Sequence, residues 1–123
     1  MKVIRWVPLL EAVRDVSGGN RKIPQSEFKQ SGPLPVVDQG QGLIAGYTHD
    51  ESAQVSTVPP VIVFGDHTRA LKYVDFPFAM GADGVKVLKP SPGFEPRFIY
   101  HYLRSRVLPN AGYSRHFKFL KEL

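Results

Sequence analysis

Apolar residues change their spacing twice along the chain, and the changes divide it into three stretches. After a short extended start over Val3 to Val7, Pro8 suits a first helical turn, and Leu9, Leu10, Val13 and Val16 recur at helical spacing until Gly18-Gly19. The pattern predicts a short packing helix there. From Ile23 to Pro92 the apolar runs become short and are separated by turn residues: Leu34 to Val37, Leu43 to Tyr47, Val61 to Phe64, Leu71 to Val74, Phe76 to Met80 and Val85 to Leu88. This is strand-and-loop texture, with Asp38-Gln39-Gly40-Gln41-Gly42 and Asp83-Gly84 as the clearest tight turns.

A helical period returns at Pro96. Phe98, Ile99, Tyr102, Leu103 and Val107 form an apolar stripe that predicts a helix to about Val107, packed on the sheet. Arg97, His101 and Arg104 share the outward stripe, either solvated or facing phosphate. Asn110-Ala111-Gly112 ends this region, and Phe117 to Leu123 reads as the opening of a further helix. The fold class expected is α+β, a twisted and mostly antiparallel sheet with two main helices. Trp6 is expected to be a core anchor.

Composition adds limits. The chain has 123 residues, 42% hydrophobic and 22% charged, which fits one soluble domain over residues 1–123. No cysteine is present, so disulfides, thiolate nucleophiles and cysteine zinc sites are excluded, and the histidines at 49, 67, 101 and 116 are scattered. Arg5, Pro8 and Glu11 interrupt any signal-peptide core, so a cytoplasmic location is expected. The net charge of +5 is unevenly placed: Lys/Arg and Asp/Glu balance up to residue 95, and the excess comes from Arg97, Arg104, Arg106, Arg115, Lys118 and Lys121. Such a basic segment is either a phosphate-backbone footprint or a solvated face.

The search for catalytic chemistry finds little. A metal-dependent nuclease wants an acid on one strand and an acid-x-Lys triplet on the next, but Asp83-Gly84-Val85-Lys86 has two intervening residues. Asp66 follows a buried run and suits a turn-capping role, accepting backbone N–H bonds. There is no G-x-S-x-G elbow, and the stretch from Gly40 to Gly46 lacks the Lys-Ser/Thr of a phosphate-binding loop. No cofactor of its own is expected. What remains are loop residues of the kinds that read base edges: Gln39, Gln41, Thr48, His49, His67, Thr68, Arg69 and Lys72. Gln39 and Gln41 equally suit a merely solvated glycine-rich turn.

The order of segments resembles the target recognition domains of type I restriction-modification specificity subunits. The blocks that carry the resemblance are Trp6-Val7-Pro8-Leu9 with Ser17-Gly18-Gly19, the run from Pro35 to Tyr47, Val61 to Arg69, Phe78 to Pro90, Phe98 to Leu103 and Tyr113 to Glu122. They cover nearly the whole chain in order. The resemblance implies a non-catalytic module that reads one half of a bipartite double-stranded DNA target. Separate methyltransferase subunits and, through them, a restriction subunit would act on DNA with S-adenosylmethionine, ATP and magnesium. A second recognition domain and long spacer helices normally complete such a subunit, and the first of those helices is expected to start where this sequence stops at Leu123.

On this reading Arg69, Gln39, Gln41 and Thr68 are expected to touch bases, and Lys72, Arg115 and Lys118 to touch phosphate, with Tyr113, Ser114 and His116 beside them. The alternatives are a metal-dependent nuclease and a protein-interaction domain that does not bind DNA.

Overall fold

A computed structural model describes residues 12–106. Its strands are β1 (Val13–Asp15), β2 (Lys22–Ile23), β3 (Leu34–Val37), β4 (Gly46–Thr48), β5 (Val61–Gly65), β6 (Leu71–Val74), β7 (Ala79–Gly81) and β8 (Val85–Pro90), followed by helix α1 (Pro96–Arg106). They form two four-stranded sheets, ordered β1-β8-β5-β6 and β2-β7-β3-β4. The first is antiparallel throughout. The second is mixed, because β7 runs parallel to both β2 and β3 while β4 is antiparallel to β3. The class is α+β, as the apolar runs predict, with two sheets in place of the single sheet expected.

Side-chain alternation explains the layering. Along β5, Ile62 and Phe64 face one way and join Leu88, Ile99 and Leu103 beneath α1. Val61 and Val63 face the other way and meet Val37 and Met80 of the second sheet and Phe78 just before β7. All five residues of β5 are therefore buried, which is why this strand is an unbroken apolar run. The far face of the second sheet packs Ile23, Leu34, Val36 and Ala79 on Ala53 and Phe28. Both sheets thus share a core, and α1 covers the outer face of the first.

Helix α1 begins where the sequence places it. Pro96 occupies the first helical position, and the Glu95 carboxylate accepts from the Phe98 amide at 2.7 Å. Ile99 and Leu103 are buried as predicted, but Phe98, assigned to the same stripe, is 65% exposed. Arg97, His101 and Arg104 are exposed, and the Arg97 guanidinium lies over the Tyr73 ring at 5.1 Å.

The expected first helix is corrected from Val13 onward: Ala12 is helical, but Val13–Asp15 is a strand. Val13 pairs with Pro90 and Asp15 with Leu88, and the Val87 amide, one residue further along β8, donates to the Ser17 hydroxyl at 2.7 Å. Val13 alone turns inward while Arg14 and Asp15 are exposed, so the strand is held by its pairing with β8 and not announced by an alternation of its own. Pro96–Arg106 is the one α-helix that lies wholly among the described residues; of the other expected helix they hold only Ala12 before the strand begins. The expectations for residues 3–11, Trp6, Val107, the turn at 110–112 and the helix opening at 117–123 lie outside the described residues. Among the described residues, no helix is long and apolar enough to cross a membrane.

Candidate nucleic-acid interface

Strand direction gathers the polar loops at one edge of the sandwich. β3 and β7 run parallel, so the loop after Val37 and the loop after Gly81 leave at the same edge. Gly65 at the end of β5 pairs with Val85 at the start of β8, and Phe64 with Leu71 at the start of β6. The segments 38–42, 66–70 and 82–84 therefore meet. Residues 39–41 and 68–72 line a groove of about 390 Å³ between two of them.

Asp38 opens the first loop with an Asx turn, its carboxylate accepting from the Gly40 amide at 2.8 Å. Gln39 then spans the three loops. Its Oε1 accepts from the amides of His67 at 2.9 Å and Thr68 at 3.2 Å, and its Nε2 donates to the Asp83 carbonyl at 2.7 Å. Its own carbonyl accepts from the Thr68 hydroxyl at 2.7 Å, and that hydroxyl also accepts from the Ala70 amide at 3.2 Å. Three glycines make room for this pair. A Cβ at Gly65 would stand 2.6 Å from Gln39 Cβ, at Gly81 2.8 Å from Asp38 Cβ, and at Gly84 2.5 Å from Gln39 Nε2.

Lys72 supports the same loop from below. It is only 6% exposed, and its ammonium donates to the Asp38 carbonyl at 2.6 Å and lies 3.8 Å from the Asp38 carboxylate. Burial pulls its pKa below the ordinary lysine value, and the Asp38 charge opposes that shift. Asp66 is also buried, and its amide donates to the Gly84 carbonyl at 2.8 Å.

The turn ends on an unusual backbone. Arg69 has φ 63°, the left-handed region, with its amide bonded to the Gly65 carbonyl at 2.9 Å. A bulky L-residue held there costs about 1–2 kcal/mol, and such strain concentrates where a side chain must be aimed. Beside it, Gln41 and His67 are exposed, as are Leu43 (44%) and Ile44 (39%) on the outer part of the 38–45 loop.

The structure brings together Gln39, Gln41, His67, Thr68, Arg69 and Lys72. It does not bring Thr48 and His49 to them. Thr48 pairs with Leu34, at the opposite end of the β3–β4 pair from the groove, and its hydroxyl accepts from the Asp50 amide at 3.1 Å. Tyr113, Ser114, Arg115, His116 and Lys118 lie outside the described residues. The sequence reading missed the Gln39 bridge, the Asp83 carbonyl it reaches and the Asp38–Lys72 contact. The available signal was the set of glycines, Gly65, Gly81 and Gly84, each at a strand boundary facing the same loop. Among the described residues no three His, Asp or Glu side chains converge as metal ligands.

The fold and site define a class: a layered α+β scaffold whose strand ends present one cluster of polar loops. The comparisons make it more particular. The chain is 26% identical over 108 residues, 87% of its length, to the type I restriction enzyme EcoR124I/EcoR124II specificity subunit of Escherichia coli. The crystal structure of the HsdS subunit from Thermoanaerobacter tengcongensis shares its fold, with a TM-score of 0.61 and 18% identity over 97% of the chain. The chain spans 27% of the first protein's length and 32% of the second's. No family model matches. The resemblance to a type I specificity-subunit recognition domain therefore holds in sequence and in fold.

Proposed function

We propose that residues 1–123 act as one target recognition domain, reading half of a bipartite double-stranded DNA target for a type I restriction-modification complex in the cytoplasm. The observation that supports this reading is the coincidence of two likenesses, one in sequence and one in fold, to specificity subunits over nearly the whole chain. The module is non-catalytic. Methyltransferase subunits and, through them, the restriction subunit supply the chemistry, and a second recognition domain reads the other half-site.

We sort the candidate contacts by where they lie on the loop surface. Arg69, Gln41 and His67 lie on the shared loop surface, and we assign them base readout in the major groove, where Arg suits guanine and Gln suits adenine. Gln39, Thr68 and Lys72 have their polar atoms engaged within the protein and hold that surface in shape. Tyr113, Ser114, Arg115, His116 and Lys118 are assigned to the phosphate backbone.

The test is selection of a duplex from a random-sequence pool by the purified protein, followed by fluorescence anisotropy on the selected duplex across a salt series. Arg69→Ala should lose about 1–3 kcal/mol and relax the preference at one base pair, whereas Lys118→Ala should weaken all duplexes alike and flatten the salt slope. Failure to enrich any sequence, together with binding that ignores salt, overturns the reading.

A further inference from the structure

The geometry points to Gln39 as a positioning residue, a side chain that fastens three loops into one recognition surface without itself reading a base. This inference rests on the proposed DNA reading for its consequence, though not for its geometry. The residue was an obvious candidate for adenine, since a carboxamide offers one donor and one acceptor to the adenine edge. In the structure those groups have other partners. The acceptor receives the amides of His67 and Thr68, and the donor is directed to the Asp83 carbonyl.

Two further observations make this more than an incidental set of bonds. The partners are distant in sequence, 28, 29 and 44 residues away, so the contacts tie separate loops together and do not merely close a local turn. The backbone is also shaped to the side chain: Gly65 and Gly84 leave gaps that a Cβ would close to 2.6 Å and 2.5 Å from Gln39 atoms. Gly84 has φ +75°, so the backbone that delivers the Asp83 carbonyl is itself one that favours glycine. A fourth contact, Thr68 hydroxyl to Gln39 carbonyl, fixes the residue directly before Arg69. Orientation of Arg69 and His67 thus depends on Gln39, and their discrimination between bases depends on it in turn.

Two variants of the full chain separate the roles. Gln39→Met keeps the volume and removes every side-chain hydrogen bond; Gln39→Glu keeps the acceptor for the two amides and removes the donor to Asp83. Amide hydrogen exchange at His67 and Thr68 should accelerate by about fivefold or more in Gln39→Met and stay near wild type in Gln39→Glu, with protection in β5 unchanged in both. On a duplex selected by the wild-type chain from a random pool, Gln39→Met should lose discrimination at more than one base pair, as expected when several readers lose their aim.

Unchanged exchange at both amides overturns the clamp. Accelerated exchange with intact discrimination overturns its role in recognition. Loss at a single base pair with unchanged exchange makes Gln39 a base reader instead. If the wild-type chain selects no duplex, it is the DNA reading that fails, and the exchange data alone decide the clamp.

Discussion

Replacing Gly84 by alanine tests the loop architecture most sharply, because Gly93 provides a matched control. Both glycines have positive φ, +75° and +91°, but a Cβ at Gly93 meets nothing within 4 Å whereas one at Gly84 stands 2.5 Å from Gln39 Nε2 and 2.6 Å from His67 Cδ2. Gly93→Ala should therefore cost only the left-handed conformation, about 1–2 kcal/mol. Gly84→Ala carries that cost and also displaces the Gln39 carboxamide from its bonds to Asp83, His67 and Thr68. At about 0.5–1 kcal/mol each, the low end of the usual range because the loops are exposed, these three bonds add about 1.5–3 kcal/mol. Urea unfolding measures both from the shift in midpoint, provided the slope is unchanged. In a Gln39→Ala background the excess should shrink to what the contact with the exposed His67 ring leaves, since there is no carboxamide left to displace, and the double-mutant cycle reports that coupling. Equal costs for the two glycine variants, within about 0.5 kcal/mol, refute the packing argument.

Three other outcomes follow from features described above. Arg69→Gly should be more stable than Arg69→Ala by about 1 kcal/mol, because glycine adopts φ 63° without penalty, while both lose DNA discrimination; thermal unfolding with alanine equal or better contradicts the strain assignment. Lys72 keeps its proton less tightly folded than unfolded, so its buried charge costs stability at neutral pH and the cost lifts as pH rises through its lowered pKa toward 10.5. Unfolding curves of wild type and Lys72→Met should therefore converge or cross in favour of wild type in that alkaline window, and a constant difference rules this out. His49→Ala, at the end of β4 away from the groove, should leave duplex affinity within about 0.5 kcal/mol of wild type in anisotropy titrations.

The sequence showed the elements whose pattern is local. Val61 to Phe64 is apolar at every position because β5 is covered on both faces, and Pro96 starts α1 because proline needs no amide partner there. Where pairing is long-range, the local signal misleads. Val13 to Val16 has helical spacing, yet Val13–Asp15 is held extended by residues 88–90. Leu43 to Tyr47 is an apolar run of strand texture, but pairing starts only at Gly46, and Leu43 and Ile44 remain exposed in the loop. The candidate site shows the same division. Residue types picked out Gln39, Gln41, Thr68 and Arg69, which line one groove, but also Thr48 and His49, which lie at the other end of the β3–β4 pair. Residue types were not enough to tell which side chains face outward, because that depends on partners such as Asp83, 44 residues from Gln39.

The glycine seat has a consequence for transplanting specificity. A graft of residues 38–42 into another scaffold brings Asp38 and Gln39, but they fit only where side chains are missing at the positions of Gly65, Gly81 and Gly84. The portable unit is therefore a loop together with its socket, scattered over three stretches of sequence. A chimaera designed by cutting at loop boundaries would inherit the lettering of the new loop and lose its alignment.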